Sequence, residues 1–383
     1  MHRNSVYLLV LGVAVLVTLG IVMLFSTSAF AQDAHGNPYF FVKKQLIYLA
    51  AGFILCVISA RVDYHIWQKT WWVWYLASMM LLTLCYVHPI GIRMNGASRW
   101  INLRFATFQP SEMAKFAAVV TLAWWFGRRE EAATELVRGF IWPLILAAGL
   151  IALIAPEVDM GTTALIGGTT FAVMFVAGTR LLYLIPMVML GLSGLGFAIW
   201  KMPERMGRFL AFLYPDRYPD DAYQQMQGLI AFGSGGVDGL GLGNGRQKGG
   251  FLPEAHTDFI FPTIGEELGL RITLLIIFAY VVIIMAAAVI IFRARDRFGM
   301  LLGSGLVFIV SLQAAVNIGV TTAVLPNKGL PLPLISYGGS NLVFCMLVIG
   351  VLINIYRQGT SDREVRAAVQ LAVKTKRKGR VRL

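Results

Sequence analysis

The sequence predicts an all-α, polytopic integral membrane protein of about ten transmembrane helices, with a large extracytoplasmic loop between the seventh and eighth. Three observations carry that prediction. The 383 residues are 57% hydrophobic and only 14% charged, with a mean hydropathy of +0.68, far from the composition of a soluble globular domain. The apolar residues gather in repeated runs close to the roughly 20 residues that a helix needs to cross a bilayer core. Lys and Arg then recur in alternate connections, the asymmetry that orients membrane helices.

In chain order the runs lie at about 6–26, 45–60, 71–88, 112–127, 139–155, 161–177, 181–200, 268–292, 299–322 and 337–356. The first precedes Ser28-Ala29-Phe30-Ala31-Gln32, which is similar to an A-x-A cleavage site. A signal peptide's apolar region spans roughly 7–15 residues, so the 20-residue run Val6–Phe25 reads as a retained helix. With the N-terminus inside, the cytoplasmic connections hold Arg61 and Lys69, then Arg128, Arg129 and Arg138, then Arg180, then Arg293, Arg295 and Arg297. Both termini are therefore expected in the cytoplasm, with one transmembrane domain over 1–357 and a basic tail over 358–383. From Arg357 onward nine Lys or Arg stand against Asp362 and Glu364, which is +7 of the net charge of +13. That tail reads as a topology and anionic-lipid signal; no recognition motif accompanies the charge, so nucleic acid is not an expected partner. Cys56, Cys85 and Cys345 are scattered through apolar runs and make neither a disulfide framework nor a metal site. The glycines of 239–245 lack the flanking strand and Lys-Ser/Thr of a nucleotide-binding loop.

Four segments break the apolar pattern. In Asn95–Lys115, Arg99 and Trp100 suit a membrane interface. Gln109-Pro110-Ser111-Glu112 opens the fourth helix, and Glu112 and Lys115 form an i,i+3 pair. The pair is either an interfacial ion pair on a capped helix or faces a cavity in the bundle. In the turn Pro156–Gly161, Asp159 either caps the sixth helix or contacts substrate. The loop 201–266 begins with Lys201, Arg205 and Arg208, contains an amphipathic piece at Tyr223–Phe232, and holds ten glycines between Gly228 and Gly250. Those glycines suggest close backbone approach to a ligand or mobility, and 228–250 is expected to be ordered mainly by substrate or partner. The loop ends in Phe251–Leu270, where His256, Asp258, Glu266 and Glu267 meet an apolar environment, a costly place for a carboxylate without a task. Finally, Leu325–Ser340 holds three prolines and three glycines, which forbid a continuous helix and point to a re-entrant, cavity-lining loop carrying Lys328, Ser336 and Tyr337.

Together these segments resemble the SEDS family (shape, elongation, division and sporulation), whose members include the FtsW and RodA peptidoglycan polymerases. The resemblance covers about residues 5–357 and rests on NGASRWINL with FQPSEMAKF, EVDMGTT, GLGNGRQKGGFLPEAHTDFIFPTIGEELG and LPNKGLPLPLISYGGSNL. Asn327-Lys328-Gly329 and the LPEAHTDFI wording look more like the division-type FtsW branch than the elongation-type RodA branch. One departure is Ser340-Asn341, where members often carry Ser-Ser; another is Gly249-Gly250, in place of bulkier or charged residues.

The resemblance implies a ten-helix fold and a glycosyltransferase that polymerises lipid II on the outer face of the cytoplasmic membrane. It implies that Asp258 is the essential acid and that Glu112 and Lys115 lie in a central cavity. It also implies a class B penicillin-binding protein as partner, alongside other divisome or elongasome proteins. Because pyrophosphate is already a good leaving group, one base plus cationic stabilisation suffices, unlike the two carboxylates of hydrolytic glycosidases. Asp258 is the expected base; His256, two residues earlier, competes, and in an extended segment both would point the same way. Arg99, Arg208, Arg246, Lys248, Lys328 or a divalent cation (Mg or Mn) are the candidates for meeting the pyrophosphate charge. A lipid II flippase and a division scaffold without chemistry are the alternatives. The concentration of motifs on one side argues against transport.

Overall fold

The structure is a computed structural model that describes every residue except 1, 29–36, 38, 88–89, 95–96, 103–106, 158 and 381–383, and every described side chain except 2–3, 93–94, 97–98 and 361–380. The A-x-A-like step beyond Ser28, and Asn95, Gly96 and Val158 of the polar segments, lie outside the described residues.

Ten helices stand where the ten runs are predicted: α1 (His2–Ser28), α2 (Phe40–Arg61), α4 (Trp71–Leu84, after the short α3, His65–Lys69), α5 (Pro110–Gly127), α6 (Trp142–Ile154), α7 (Met160–Val176), α8 (Leu181–Lys201), α11 (Ile260–Ile291), α12 (Arg297–Thr321) and α13 (Gly339–Arg380). By length and composition seven spans are long and apolar enough to cross a membrane. The other three fall short for visible reasons. Helices α4 and α7 have only 14 and 17 residues, about 21 and 26 Å at 1.5 Å per residue against a core of about 30 Å. The 18 residues of α5 include Ser111, Glu112 and Lys115. The C-terminal helix continues without a break through 357, so the tail begins as an extension of α13.

Helices α5, α7, α11 and α13 surround α12, and α1 packs along α11 and α2 along α13. Small residues permit the close contacts: a Cβ on Gly350 of α13 would stand 2.4 Å from the Cys56 carbonyl of α2. Helix α8 is the exception. Only 6% of its apolar window is buried inside the protein, and Leu184 is its one buried residue.

Two connections differ from expectation. Within 91–108 the chain forms a small antiparallel sheet, β1 (Gly91–Met94), β2 (Ala97–Asn102) and β3 (Thr107–Phe108), in the order β1-β2-β3; alternate residues of a strand face opposite sides, which sends Arg99 and Trp100 apart. The 201–266 connection is largely helical, with α9 (Pro203–Leu213) and α10 (Pro219–Gly235); the predicted amphipathic piece 223–232 is the body of α10.

The glycine-rich stretch after α10 is not a mobile unit but a backbone laid onto α11. Helix α11 breaks at Gly269 (φ 76°, ψ −177°), and the gap takes in the loop: Leu240 N and Gly241 N donate to the carbonyls of Glu266 and Glu267 (2.9 Å each), and Leu270 N to that of Gly236 (3.0 Å). A Cβ on Gly239 would stand 2.3 Å from the Glu267 carbonyl, and at φ +80° only glycine is comfortable. The two carboxylates are buried and complete the fastening. Glu266 Oε1 accepts from Arg246 N (2.8 Å) and Gln247 N (3.2 Å). Glu267 Oε2 accepts from Gly243 N (2.9 Å), and its Oε1 pairs with Lys248 Nζ at 2.5 Å. Ser26 of α1 donates to Glu267 and accepts from Lys248 Nζ (2.7 Å). The glycines thus serve close approach to the protein's own helix.

Removing one partner of a buried ion pair typically costs about 3–5 kcal/mol. In hydrogen exchange the amides of Leu240, Gly241, Gly243 and Arg246 are expected to be protected in the ligand-free protein and to lose that protection in Glu267→Ala. Fast exchange at these amides in the wild type would show the loop to be loose after all.

Candidate active site

The site is organised by one face of α12. Gln313, Asn317 and Thr321 recur every fourth residue, so they line one side of the helix, and all three are buried. Gln313 Oε1 accepts from Lys115 Nζ (2.8 Å), while Lys115 and Glu112 form an ion pair at 2.7 Å with both side chains buried. Asn341 Nδ2 donates to Glu112 Oε2 (3.2 Å) and Gln313 Oε1 (3.3 Å), and the Lys115 ammonium lies 4.8 Å from the Phe344 ring centre. Of the two readings of this pair, the interior one holds: it is an ion pair with further polar partners, the condition under which buried charges survive.

The same helix face grips the irregular chain 322–338. Gln313 Nε2 donates to the Pro331 carbonyl (2.8 Å). Asn317 Nδ2 donates to two carbonyls at once, Leu330 (2.7 Å) and Asp258 (2.8 Å). Ser336 Oγ donates to the Thr257 carbonyl (2.6 Å) and accepts from Leu332 N (2.8 Å), and Tyr337 N donates to the His256 carbonyl (3.0 Å). Tyr280 of α11 adds a hydrogen bond to the Pro333 carbonyl. The predicted non-helical loop is present, and the 256–258 segment is bonded to it residue by residue.

Residues 251–259 form consecutive turns rather than an extended strand, so the expectation that His256 and Asp258 point the same way fails. The His256 ring stacks on Phe41 (4.4 Å, 25°) and lies 6.0 Å from Tyr337, packed as an aromatic. Asp258 is half-buried. Among the described residues no donor hydrogen-bonds its carboxylate. Burial, reinforced by the charges of Glu254 and Asp159 and opposed by Arg99, pushes its pKa up to about 7. Gly329 lies directly against it: a Cβ there would stand 2.6 Å from Asp258 Oδ2.

The sequence model of the FtsW/RodA/SpoVE family, described as cell cycle protein, matches residues 7–361. The chain belongs to this family. It is 37% identical over 356 residues to a probable peptidoglycan glycosyltransferase FtsW of Geobacter metallireducens, covering 92% of this chain and 95% of that one. It is 34% identical over 352 residues to the stage V sporulation protein E of Bacillus subtilis, covering 91% and 96%. Among solved structures it resembles a chain of a peptidoglycan synthase complex studied for the coordination of polymerization and crosslinking, with a TM-score of 0.74 and 26% identity over 92% of this chain and 97% of that one. It also resembles the rod shape determining protein RodA of Thermus thermophilus, with a TM-score of 0.67 and 25% identity over 91% and 95%.

The other predicted site residues of this family member divide by what they touch. Asp159 caps α7, accepting from Thr162 N (3.1 Å) and Thr162 Oγ1 (2.8 Å), yet its charge reaches both Asp258 and Lys328. Arg99 Nε donates to the Glu157 carbonyl (3.2 Å). Trp100 and Gln109 are half-buried, and Gln109 N donates to Ser340 Oγ (3.0 Å), tying the start of α5 to that of α13. Arg208 is exposed on α9, and half-buried Lys328 lies against the start of α7. Three expectations are corrected. Lys248 is consumed by Glu267 and Ser26 and has no charge to offer a phosphate. Ser336 spends its hydroxyl on Thr257 and Leu332. Arg246 is exposed, on the fastened glycine loop rather than beside Asp258. Gln313 and Asn317 went unnoticed in the sequence; their four-residue spacing in an apolar run was the available signal. Asn341, first noted as a departure, is a working member of the ion-pair network. Among the described residues no group of three or more His, Cys, Asp or Glu converges as a metal site.

Gly329→Ala is expected to push the Asp258 carboxylate aside, since the flexible carboxylate yields before backbone does. A misplacement of about 1 Å can cost on the order of 10²-fold in rate. Glycan synthesis should fall by about that factor while the melting temperature stays close to wild type; unchanged synthesis would mean that Asp258 does not act from this position.

Proposed function

We propose that this chain is a peptidoglycan glycan-strand polymerase that uses lipid II in cell division. The observation that carries the proposal is the half-buried, donorless carboxylate of Asp258, joined through Asn317 to a buried polar network in a chain 37% identical to a probable peptidoglycan glycosyltransferase FtsW. Asp258 takes the proton from the GlcNAc 4-hydroxyl as that oxygen attacks C1 of the MurNAc at the end of the growing strand. The C1–O bond to pyrophosphate breaks, the anomeric centre inverts, and polyprenyl pyrophosphate leaves with the bonding pair. A base with a pKa near the working pH is the efficient choice, and such assistance is typically worth roughly 10²–10⁴-fold.

On this reading the chain crosses the cytoplasmic membrane ten times, with both termini in the cytoplasm and Asp258 on the extracytoplasmic face. The Lys and Arg pattern supports that orientation, and the basic tail after 357 meets anionic lipid. A class B penicillin-binding protein is the proposed crosslinking partner, supported by the likeness to a chain of a complex that couples polymerization to crosslinking. Arg99, Trp100, Gln109, Glu112, Lys115, Asp159, Arg208 and Lys328 line the substrate path around Asp258. Any divalent cation would ride on substrate phosphates, and no step above depends on one.

Purified protein given labelled lipid II, with and without the transpeptidase partner, separates the alternatives. Glycan ladders mean polymerase, and label protected inside vesicles without ladders means flippase. Asp258→Asn is expected to fold and to lose at least about 10²-fold in ladder formation. The wild-type rate should rise with pH through about 7, as the base loses its proton. A well-folded Asp258→Asn protein with near-normal synthesis would sink the assignment.

A further inference from the structure

We infer that the apolar groove between the end of α2, α3 and the start of α4 binds an anionic phospholipid, with an acyl chain in the groove and the headgroup phosphate held by Arg61 and Lys69. The groove lies at the end of the bundle opposite Asp258: Tyr64 and His65 beside it bond to Asp296, which follows α11, whereas Asp258 precedes α11. The site therefore needs only a chain that crosses a membrane, and it stands or falls apart from the polymerase reading.

The hollow is already formed. Ile58 and Val62 at the end of α2, Ile66 and Trp67 of α3, and Val73 and Trp74 of α4 enclose about 250 Å³. Trp67 is buried and packs edge-on against Trp74 (5.1 Å) and Phe116 of α5 (5.2 Å), which gives the groove a fixed aromatic floor. Its walls stay open: Ile58, Val62, Ile66 and Val73 are between 36% and 50% exposed, so no part of the chain covers them. The lining is confined to the last turn of α2, the short α3 and the first turn of α4. A partner helix crossing the bilayer would need contact along about 20 residues, whereas a groove one turn deep suits the upper part of an acyl chain. The depth agrees. Trp71, Trp72 and Trp74 open α4, and indoles gather where headgroups meet hydrocarbon. Trp71 stacks on Trp124 (3.9 Å), and the Arg129 guanidinium lies 4.1 Å from the Trp125 ring centre.

The rim supplies the charge. Arg61 follows Ile58 by three positions and Lys69 follows Ile66 by three, so each rises from the groove-lining face of its helix. Both are exposed, and among the described residues neither makes a hydrogen bond or an ion pair. A third cation, Arg357 of α13, donates through Nη1 to the Ala60 carbonyl (2.9 Å). The two carboxylates at this corner are turned inward. Asp63 Oδ1 bonds to His65 Nδ1 (2.7 Å) and accepts from Gln358 Nε2 (2.8 Å), while Asp296 Oδ2 bonds to His65 Nε2 (2.5 Å) and accepts from the Tyr64 hydroxyl (3.1 Å). Arg61 and Lys69 are thus left facing outward beside an apolar hollow. A soluble anion would meet the rim and leave the hollow empty, and a second copy of the chain would bring the same positive rim against it. A lipid with one net negative charge fills both parts, and each basic residue near the headgroups strengthens its hold.

The full chain, purified in detergent, is titrated with dioleoyl-phosphatidylglycerol and separately with dioleoyl-phosphatidylcholine, and bound lipids are counted by native mass spectrometry. The wild type should retain a first phosphatidylglycerol more tightly than phosphatidylcholine. The double variant Arg61→Gln/Lys69→Gln should weaken that first phosphatidylglycerol by roughly 25-fold, about fivefold for each basic residue, and leave phosphatidylcholine unchanged. Val62→Trp, which fills the groove and keeps its rim, should also weaken the first phosphatidylglycerol. All these side chains are exposed, so melting temperatures should stay close to wild type. Arg180→Gln is the control: Arg180 is exposed at the start of α8, at the same end of the bundle, where Arg297 reaches the Ala177 carbonyl, and its loss should change nothing. The basic tail is present in every variant and cancels in the comparison. Unchanged phosphatidylglycerol affinity in the double variant or in Val62→Trp would overturn the site, as would an equal loss in Arg180→Gln, which would mean general surface charge. Wild-type dimers that Val62→Trp separates would overturn it too, by showing that a second copy covers the groove. Failure of the polymerase reading would appear separately, as absent glycan ladders with these lipid differences intact.

Discussion

Non-helical backbone inside a helical membrane bundle survives only if protein groups satisfy its carbonyls and amides, and in this chain the amide of Asn317 meets the central part of that need. Its Nδ2 donates both to the Asp258 carbonyl (2.8 Å) and to the Leu330 carbonyl (2.7 Å). One side chain thus fixes the two irregular segments against each other. Gln313, one turn earlier, extends the hold to Pro331 and passes it to Lys115 and Glu112. The buried ion pair and the chain carrying Asp258 are therefore parts of one polar network strung along α12. Such networks fix an arrangement to the extent that their members are satisfied; here both Asn317 Nδ2 bonds are made, while Asn317 Oδ1 is buried without a partner among the described residues.

A second fastening works by the same rule with the charges reversed. Glu266 and Glu267 are buried at the broken start of α11 and would be intolerable there alone. Backbone amides of 243–247, the Lys248 ammonium and the Ser26 hydroxyl satisfy them. That pins the glycine-rich chain to α1 and α11 and gives the following turns, 251–259, a fixed base. Between the two fastenings Asp258 keeps its backbone occupied and its carboxylate unencumbered, which leaves burial free to raise its pKa.

The bundle was legible because period, length and charge asymmetry are local signals: all ten apolar runs became helices. So was the irregular 325–340 chain, through its prolines and glycines. The long-range pairings were not. Ten glycines between 228 and 250 read equally well as freedom or as close approach, and only the position of Glu267, brought over by the fold, decides for approach. Lys248 reads as a phosphate ligand until Ser26, more than 200 residues away, turns out to hold it. Asp159 was undecided between cap and site, and the geometry makes it a cap whose charge still reaches the site. The sheet around Arg99 was invisible because its strands are short and carry no clean alternation.

The central claim is that the fold leaves Asp258 as a base poised near neutrality, and its protonation can be observed without turnover. Difference infrared titration of the wild type against Asp258→Asn isolates the carboxyl stretch of that one residue. The account predicts a protonated band that disappears with a midpoint near pH 7. A midpoint near the ordinary aspartate value of about 4 would contradict it, because the enclosure described here would then have no effect on the group it surrounds.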